Sequence, residues 1–374
     1  MTGTFEFTRD DAAFMAHALR LAERGLYTTD PNPRVGCVIV RGGQLVGEGW
    51  HRQAGGPHAE VEALREAGEA ARGATVYVTL EPCCHFGKTP PCTEALNNAG
   101  IARVVSAMQD PNPRVAGNGL KALRAAGVAT SCGLLEAEAL ALNPGFCRRM
   151  RSGRPHVLSK LAMSLDGRTA MASGESHWIT GAAARRDVHR LRARSSAILT
   201  GIATVLADDP ALTARPGRKL GAFRQPARIV VDSRLRIPLT AQLIVQPGRT
   251  IVLCVEGAVE RTDELREAGV EVHLLSAGRD GRVDLNAVLD LLGELEFNEV
   301  MVEAGAALNG ALLQAGLVDE WVVYLAPCVL GDGARGLFTT PGLESMADRF
   351  ELKLTDARQV GRDLRLRFVR PDSI

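Results

Sequence analysis

Nothing in the 374 residues resembles a membrane segment or a signal for export. No run of about 18 apolar residues is present, and that is the length a membrane-spanning helix needs. The acidic start has neither the basic region nor the apolar region of a signal peptide. Lys and Arg number 44 and Asp and Glu 43, a net charge of +1, whereas a dedicated duplex-binding protein carries a basic excess. We therefore expect a cytoplasmic protein with neither a membrane nor a nucleic acid as its partner.

Aromatic side chains are also scarce, at 4% of the residues against 46% hydrophobic residues overall. This composition is typical of Ala, Val and Leu packed between helices and sheets, and it excludes a disordered or fibrous chain. The length exceeds one ordinary domain and suits two or three, with a core large enough to be stable without disulfides. Eight cysteines in a cytosolic protein are more typical of thiols or metal ligands than of bridges.

The first part of the chain alternates helical and strand-like patterns. An amphipathic helix is predicted over residues 9–24, followed by a hairpin of strands 35–40 and 45–50. Further helices are predicted at 59–71, 91–98 and 120–126, and further strands at 75–80, 102–107 and 128–132. This order is typical of an α/β domain in which helices cover a sheet.

The pattern breaks at Asn143-Pro144-Gly145 and in the basic stretch 148–155. A charged run of this kind is typical of a solvated connector, so we place a domain boundary near 150 and predict domains 1–150 and 151–374. A second α/β domain follows. Its predicted strands are 157–162, 197–200, 228–232, 250–255, 271–275, 300–303 and 321–325, and its predicted helices include 182–193, 260–268, 285–292 and 308–314.

The cysteines fall into groups according to their neighbours. Four of them lie in or beside apolar runs, where a thiol acts as a small buried hydrophobe: Cys37, Cys132, Cys254 and Cys328. Cys147 stands alone in a basic segment, whereas Cys83, Cys84 and Cys92 share a loop that contains Pro, Gly and His.

A metal site is indicated by that loop together with His58-Ala59-Glu60, which opens a predicted helix. One imidazole and the two thiolates of Cys83 and Cys92 make a three-ligand zinc site whose fourth position is left to water. Glu60, two residues after the histidine, is placed to take the proton of that water. The pattern matches the zinc deaminase signature except that eight residues, not two, separate the cysteines.

Several alternatives to this interpretation stay open from the residues alone. One alternative is that Cys84 is the ligand in place of Cys83, although Pro82 directly before Cys83 favours Cys83. Another is that the residues are unconnected buried thiols and a surface histidine. Two rival functions remain as well. One is an RNA or nucleoside deaminase, which needs a basic or aromatic groove. The other is a non-catalytic binding module in which Cys83, Cys84, Cys92 and His58 close the zinc tetrahedron.

One hexapeptide, Asp-Pro-Asn-Pro-Arg-Val, occurs at 30–35 and again at 110–115. The flanking sequences do not match, so no structural repeat follows. Two prolines around an asparagine fix a tight loop that holds the amide of Asn32 or Asn112 toward a ligand. The alternative is that the two segments are simply well-made turns.

The segment 81–92 fits the motif Glu-Pro-Cys-x-His-x-Gly-[Lys/Arg]-Thr-Pro-Pro-Cys without a gap. The chain thereby resembles the bifunctional riboflavin-biosynthesis deaminase/reductases. That resemblance implies an N-terminal cytidine-deaminase-like three-layer domain and a C-terminal dihydrofolate-reductase-like domain. It implies His58, Cys83 and Cys92 as zinc ligands and Glu60 as the proton shuttle. The implied contacts to a phosphoribosylaminopyrimidine substrate are Asn32, His85, Lys88 and Asn112.

The second half resembles the reductase half of the same family over 160–168, 174–180, 204–210 and 302–305. No Gly-x-Gly-x-x-Gly follows a strand, so an ordinary Rossmann site is not indicated. The resemblance implies NADPH as cofactor. The implied substrate contacts are Lys160, Ser176, Arg192, Leu212, Arg215 and Glu303. The implied NADPH contacts are Ala162, Trp178, Thr204, Asp208, Ser233, Gly305, Ala306, Ala307, Leu308, Asn309, Gly310 and Ala311.

Physical arguments from the residues support part of this second set. A buried strand that runs into Gly305, with a helix from about Leu308, lets backbone amides approach a diphosphate, although a routine strand-to-helix turn has the same pattern. Lys160 within an apolar strand is costly unless it is paired or faces a cleft. Arg192 sits at the edge of an apolar helix stripe, and a guanidinium fork suits a phosphate. Trp178 is alternatively a core aromatic.

The resemblance implies one enzyme with two successive reactions. The N-terminal site hydrolyses the 2-amino group of a diamino-hydroxy-pyrimidine phosphoribosylamine and releases ammonia. The C-terminal site then reduces the ribosyl group to a ribityl phosphate with NADPH. We expect a homo-oligomer that acts on this small-molecule substrate.

Overall fold

The structure is a computed structural model that describes residues 7–86, 90–113, 115–176, 178–217, 220–255 and 261–371. The chain divides into two compact units, Met1–Gly153 and Arg154–Ile374. None of the helices in these ranges has the length and apolar character that a membrane span requires.

The first unit contains a five-stranded sheet in the order β2-β1-β3-β4-β5. Its strands are β1 (Gly36–Arg41), β2 (Gln44–Trp50), β3 (Thr75–Val78), β4 (Arg103–Ser106) and β5 (Ala129–Cys132). The pairs β1/β2 and β1/β3 are antiparallel, and β3/β4 and β4/β5 are parallel. The β1–β2 hairpin turns at Gly42 and Gly43, both with positive φ (57° and 79°), which only glycine adopts without strain.

Helices cover both faces of this sheet, because its strands carry buried apolar residues on both faces. Val38 and Val40 of β1 pack with Met15 and Leu21 into one core cluster. Cys37 and Ile39, with Ala63 and Leu96 among others, belong to a second cluster. Successive strand residues point to opposite faces, so the two clusters lie on opposite sides. The helices are α1 (Arg9–Glu23), α2 (Ala59–Ala67), α3 (Cys92–Asn98), α4 (Asn118–Ala125), α5 (Glu136–Leu142) and α6 (Pro144–Ser152). The expected three-layer α/β arrangement is confirmed.

The basic segment after residue 143 differs from the expected solvated connector, because most of it is helix α6. Pro144 occupies the first helical position, where its missing N–H costs nothing. Phe146 and Cys147 are buried in the first unit's core, so Cys147 does not stand in an exposed basic segment. A boundary at 150 falls inside this helix, whereas the contacts divide the chain after Gly153.

The second unit contains a nine-stranded sheet in the order β11-β10-β9-β8-β12-β6-β13-β16-β15. Its strands are β6 (His156–Met163), β8 (Ala197–Gly201), β9 (Ala227–Val231), β10 (Thr250–Val255), β11 (Glu271–Leu275), β12 (Glu299–Val302), β13 (Glu320–Leu325), β15 (Lys353–Val360) and β16 (Asp363–Val369). Neighbouring strands from β11 to β13 are parallel, and β13, β16 and β15 are antiparallel. A small second sheet pairs β7 (Arg168–Ala170) with β14 (Arg335–Gly336).

The core of this unit again lies on both faces of the sheet. Trp321 and Val323 of β13 belong to the largest cluster, whereas Val322 and Tyr324 pack with residues of α7 in another. The helices are α7 (Ala182–Arg194), α8 (Ile202–Asp208), α9 (Gln242–Val245), α10 (Thr262–Glu267), α11 (Leu285–Glu294) and α12 (Ala306–Gln314). Helix α12 starts at Ala306, two residues before the expected start.

Candidate active sites

The three expected metal ligands of the first unit converge. His58 is the N-cap of α2, Cys83 lies in the loop after β3, and Cys92 is the first residue of α3. The His58 Nδ1 atom lies 3.2 Å from the Cys92 Sγ atom and 3.5 Å from the Cys83 Sγ atom. One ligand atom from each residue lies within 4.8 Å of the others. Two thiols and one imidazole at this spacing fit a tetrahedral zinc site with one open position.

The electrostatics of the cluster favour a cation. Hydrogen bonds from Cys92, first of all, and from His58 lower the pKa of Cys83 to about 4. They outweigh burial, which alone would raise it. The same hydrogen bond to Cys83, with burial, raises the pKa of Cys92. The Cys83 and Cys92 thiols thus lose one proton readily and keep the second. Binding of a metal ion displaces this second proton.

Glu60 lies beside this cluster and is 3% exposed. Burial raises its pKa, and Cys92 is one of its hydrogen-bond partners. A carboxyl group in contact with the ligand cluster can accept a proton and return it during the reaction. The placement therefore suits the expected role of a proton shuttle.

The other residues of the Cys83 loop stand apart from the ligand cluster. Within the part of the chain that the structure describes, the cluster of possible metal ligands contains His58, Cys83 and Cys92 and leaves out Cys84. His85 and the neighbouring Phe86 are exposed, Phe86 to 73%. Lys88, also expected at the substrate, lies outside the described residues.

The first hexapeptide loop presents Asn32 to a histidine that sequence reasoning missed. His51 is 3% exposed, its Nδ1 atom lies 2.9 Å from the Pro57 carbonyl oxygen, and its Nε2 atom lies 3.0 Å from Asn32 Nδ2. Burial lowers the pKa of His51, which favours the neutral ring. A neutral ring that donates from Nδ1 accepts at Nε2, which turns the Asn32 amide nitrogen toward His51. A lone histidine after β2 carries no sequence signal for this contact.

The second hexapeptide loop is held differently. Asn112 is half-buried, and its backbone N–H donates to the Asp110 Oδ1 atom at 2.8 Å. Burial, with the charges of Glu81 and Cys83, raises the pKa of Asp110 to about 7. Asn32 and Asn112 thus both lie in loops of the unit that holds the ligand cluster.

In the second unit, three expected substrate contacts form one ionic cluster. Both Nε and Nη2 of Arg192 donate to the Glu303 carboxylate, the latter at 3.0 Å. The Lys160 Nζ atom lies 4.0 Å from Glu303 Oε2. All three side chains are largely buried. Burial alone raises the pKa of Glu303, but the Arg192 and Lys160 charges outweigh it, so the pKa lies below its usual value. Lys160 of β6 is therefore paired with Glu303, and this ion pair offsets the cost of burying its charge.

The loop that carries Leu212 and Arg215 is docked on the same helix as Arg192. Arg192 Nη1 donates to the Thr213 carbonyl at 3.0 Å, and the Arg215 N–H donates to His189 Nδ1 at 3.1 Å. Leu212 is 3% exposed, whereas Arg215 is exposed. Sequence reasoning missed His189; burial and the nearby Arg192 and Arg215 charges lower its pKa to about 4, so it stays a neutral acceptor.

Two expected cofactor contacts meet at the start of α12. The Gly305 N–H donates to Thr204 Oγ1 at 3.2 Å, and Gly305 is the exposed N-cap of α12 with no side-chain cap. An uncapped helix N-terminus fits a diphosphate. Asn309 is 1% exposed, and its amide donates to the Ala304 and Gly305 carbonyls. A Cβ on Gly310 would lie 2.0 Å from the Thr339 carbonyl oxygen. Asn309 and Gly310 therefore shape the turn from within and do not face solvent.

The remaining expected cofactor and substrate contacts have different degrees of exposure. Trp178 is 68% exposed, so it is not a core aromatic. The Arg185 Cζ atom lies 4.6 Å from the centroid of its ring. Asp208 ends α8 and is exposed. Ser233 Oγ accepts from the Val283 N–H at 3.0 Å. Ala162 and Ser176 are half-exposed, as are Leu308 and Ala311, whereas Ala307 is exposed. Ser233 follows the carboxyl end of β9, and helix α12 follows that of β12; this edge is where ligands bind in open α/β sheets.

Comparisons with protein families cover both units. Residues 155–366 match the family described as RibD C-terminal domain, and residues 8–108 match the cytidine and deoxycytidylate deaminase zinc-binding region. The chain is 54% identical to riboflavin biosynthesis protein RibD of Escherichia coli (strain K12), over 96% of this chain and 99% of that protein. It is 47% identical to RibD of Haemophilus influenzae, over 97% and 98% of the two chains.

Solved structures agree with this result. One form of Acinetobacter baumannii RibD is similar with a TM-score of 0.90 and 47% identity, covering 96% of this chain and 99% of that one. A Thermotoga maritima protein described as a diaminohydroxyphosphoribosylaminopyrimidine deaminase/5-amino-6-(5-phosphoribosylamino)uracil reductase is similar with a TM-score of 0.85 and 32% identity, with the same coverage. The expectation of a cytidine-deaminase-like domain followed by a dihydrofolate-reductase-like domain is confirmed. The chain belongs to the family of bifunctional riboflavin biosynthesis proteins, which join a zinc-dependent deaminase to an NADPH-dependent reductase.

Proposed function

We propose that the first unit deaminates 2,5-diamino-6-hydroxy-4-(5-phosphoribosylamino)pyrimidine by using His58, Cys83 and Cys92 as zinc ligands and Glu60 as the proton shuttle. The observation that carries this proposal is the convergence of one imidazole and two thiols within 4.8 Å. A zinc ion held there supplies a Lewis acid that activates water for attack on the ring.

The protein's own contribution to this reaction is proton transfer and positioning. Glu60 takes one proton from the attacking water and passes it to a ring nitrogen as the new C–O bond forms. It then takes the second proton of that water from the new hydroxyl group and gives it to the amino group, which leaves as ammonia when the C–N bond breaks. His51 fixes the Asn32 amide nitrogen, and the Asn32 carbonyl oxygen then accepts a hydrogen bond from the substrate. Asn112, His85 and Lys88 complete the proposed substrate contacts.

We propose that the second unit reduces the deaminated product, 5-amino-6-(5-phosphoribosylamino)uracil, to its ribityl phosphate. NADPH would supply the hydride. The anomeric carbon gains this hydride, its bond to the ring oxygen breaks, and that oxygen takes up a proton to become a hydroxyl group. The uncapped start of α12 after Gly305 would hold the diphosphate of the cofactor, and Thr204 orders that turn by accepting the Gly305 N–H. The rest of the cofactor would contact Trp178, Asp208, Ala162 and Ser233.

The Lys160–Glu303–Arg192 cluster binds the substrate in this proposal. Three N–H groups of Arg192 are used by Glu303 and the Thr213 carbonyl, and a guanidinium has five. The phosphate therefore meets the remaining donors of Arg192 together with the exposed Arg215. Ser176 and Leu212 complete the pocket. The proposed ligands are small molecules, and we expect the chain to act in the cytoplasm as a homo-oligomer.

The test is to incubate the purified protein with the diamino substrate, with and without NADPH. Ammonia should appear in both reactions, and the ribityl product should appear only with NADPH, one NADPH being oxidised per product. Oxidation of NADPH by the diamino substrate without ammonia release would contradict the order of the two reactions.

A further inference from the structure

A buried carboxylate joins the metal-ligand loop to the second hexapeptide loop. Glu81 stands two residues before Cys83 and is 3% exposed. Its Oε2 atom accepts the backbone N–H groups of Asp110, at 3.1 Å, and Gly117, at 2.9 Å. Its Oε1 atom accepts the Leu120 N–H at 3.1 Å. All three donors belong to the segment around Asn112, none of them to the neighbourhood of Cys83.

Asn112 lies between those donors and is itself held by backbone hydrogen bonds. The Asn112 carbonyl oxygen accepts the N–H groups of Val115, at 2.9 Å, and Ala116, at 3.0 Å. The segment leads into α4, whose first residues approach the Glu81–Pro82 backbone so closely that a Cβ on Gly119 would lie 2.0 Å from the Pro82 carbonyl oxygen. Glu81 therefore holds the segment on both sides of Asn112.

The chemistry of this contact requires a carboxylate. Two of the donors occupy one oxygen and the third occupies the other, and Leu120 lies in the first turn of α4, where the helix dipole favours an anion. Hydrogen bonds to an ionised acceptor are about twice as strong as neutral ones. A glutamine offers only one acceptor oxygen, so at least one buried N–H group would lose its partner.

We propose that Glu81 is a positioning residue of the deaminase site, which sets the place of Asn112 relative to the His58, Cys83 and Cys92 cluster. Substrate binding depends on this contact, whereas zinc binding and proton transfer by Glu60 do not. The inference rests on the proposed function through the contact of Asn112 with the substrate.

The first experiment compares Glu81→Gln with the matched surface variant Glu23→Gln, which lies in the same unit and is exposed. Glu81→Gln should raise the deaminase KM about ten-fold, with kcat and zinc content close to those of the unchanged chain. Glu23→Gln should change none of these. The reductase activity on the deaminated substrate serves as an internal control for protein concentration, and the zinc content reports the folding of the first unit. Glu81→Asp keeps the charge but withdraws both oxygens by one methylene, and it should raise KM less than Glu81→Gln does.

The second experiment tests whether Glu81 acts through Asn112. Asn112→Ala and the double variant with Glu81→Gln are assayed alongside the single variants. If the two residues form one unit, the KM of the double variant should be no higher than that of the more impaired single variant.

Each other outcome decides a different point. Loss of zinc, or a fall in kcat with KM unchanged, in either Glu81 variant assigns Glu81 to the metal or to the chemical step and overturns the inference. A lower melting temperature with unchanged kinetics makes the contact purely structural and also overturns it. Additive effects in the double variant exclude a route through Asn112. An unchanged KM in Asn112→Ala alone instead rejects the proposed substrate contact of Asn112, and this result does not depend on the Glu81 data.

Discussion

The two candidate sites of this chain differ in how the charges of their side chains are balanced. In the deaminase unit, Cys92 lies 34 positions after His58, and these two residues and Cys83 are hydrogen-bonded to one another. The thiolates of this site need a bound cation to balance their charge. In the reductase unit, Glu303 is already neutralised by Arg192, 111 positions away, and by Lys160. The first site should therefore lose function without losing its fold, whereas in the second site function and stability should change together.

The largest effect is expected at the metal ligands. Cys83→Ser should lose zinc and with it all deaminase activity, because the remaining thiol and imidazole provide only two ligands. Cys84→Ser is the matched control and should keep zinc, since Cys84 stands outside the ligand cluster. Metal analysis of the two purified variants decides the point. A loss of zinc from Cys84→Ser and not from Cys83→Ser would move the ligand assignment by one residue.

The Arg192 side chain tests the second half of the comparison. Arg192→Ala should raise the KM for the phosphorylated substrate about ten-fold or more, with little change in NADPH affinity. It should also destabilise the fold, because a buried charge that loses its partner costs about 3 to 5 kcal/mol. Lys160 remains 4.0 Å from Glu303, so we expect the lower end of that range.

Arg190→Ala, an exposed position on the same helix, provides the control for Arg192→Ala. Substrate and cofactor titrations together with denaturant melts give the three readouts. Unchanged stability of Arg192→Ala would show that Glu303 does not depend on this partner. A selective loss of NADPH binding would reassign Arg192 to the cofactor.

The smallest effect is expected from separating the two units. Each unit has its own core clusters, so a fragment of residues 154–374 should reduce the deaminated substrate at close to the rate of the full chain. A cut at 150 instead leaves the last residues of α6 on the wrong fragment. A soluble fragment 154–374 that binds NADPH but does not reduce the substrate would contradict the independence of the two units.

The metal site could be predicted from the sequence because its residues are close together and flanked by helix starts. The pairing of Arg192 with Glu303 could not, since no local pattern links a helix residue to a residue after a distant strand. His51, His189 and the three hydrogen bonds of Glu81 were missed for the same reason. Each of these contacts depends on loops that only the folded chain brings together.

The fold shows a similar division between patterned and unpatterned segments. The parallel strands were predicted because they are continuous apolar runs, as in strand β10. Strand β15 was missed because it is exposed almost throughout and has no apolar alternation. Strand β16 does alternate, since Leu364, Leu366 and Phe368 are separated by arginines, so this signal could have found it. Helix α6 was interpreted as a connector because its Pro and Gly resemble a break. Cys132 was expected to be buried, yet it is exposed at the end of the sheet-edge strand β5.

The central claim is that one chain carries two chemically independent sites, and Glu60→Gln tests it most directly. An amide cannot accept the proton of water, so deamination should fall about 100-fold to 10,000-fold, with zinc retained. Reduction of the deaminated substrate by NADPH should proceed at the normal rate in the same preparation. Ammonia release close to that of the unchanged chain, or a parallel loss of both activities, would contradict this account.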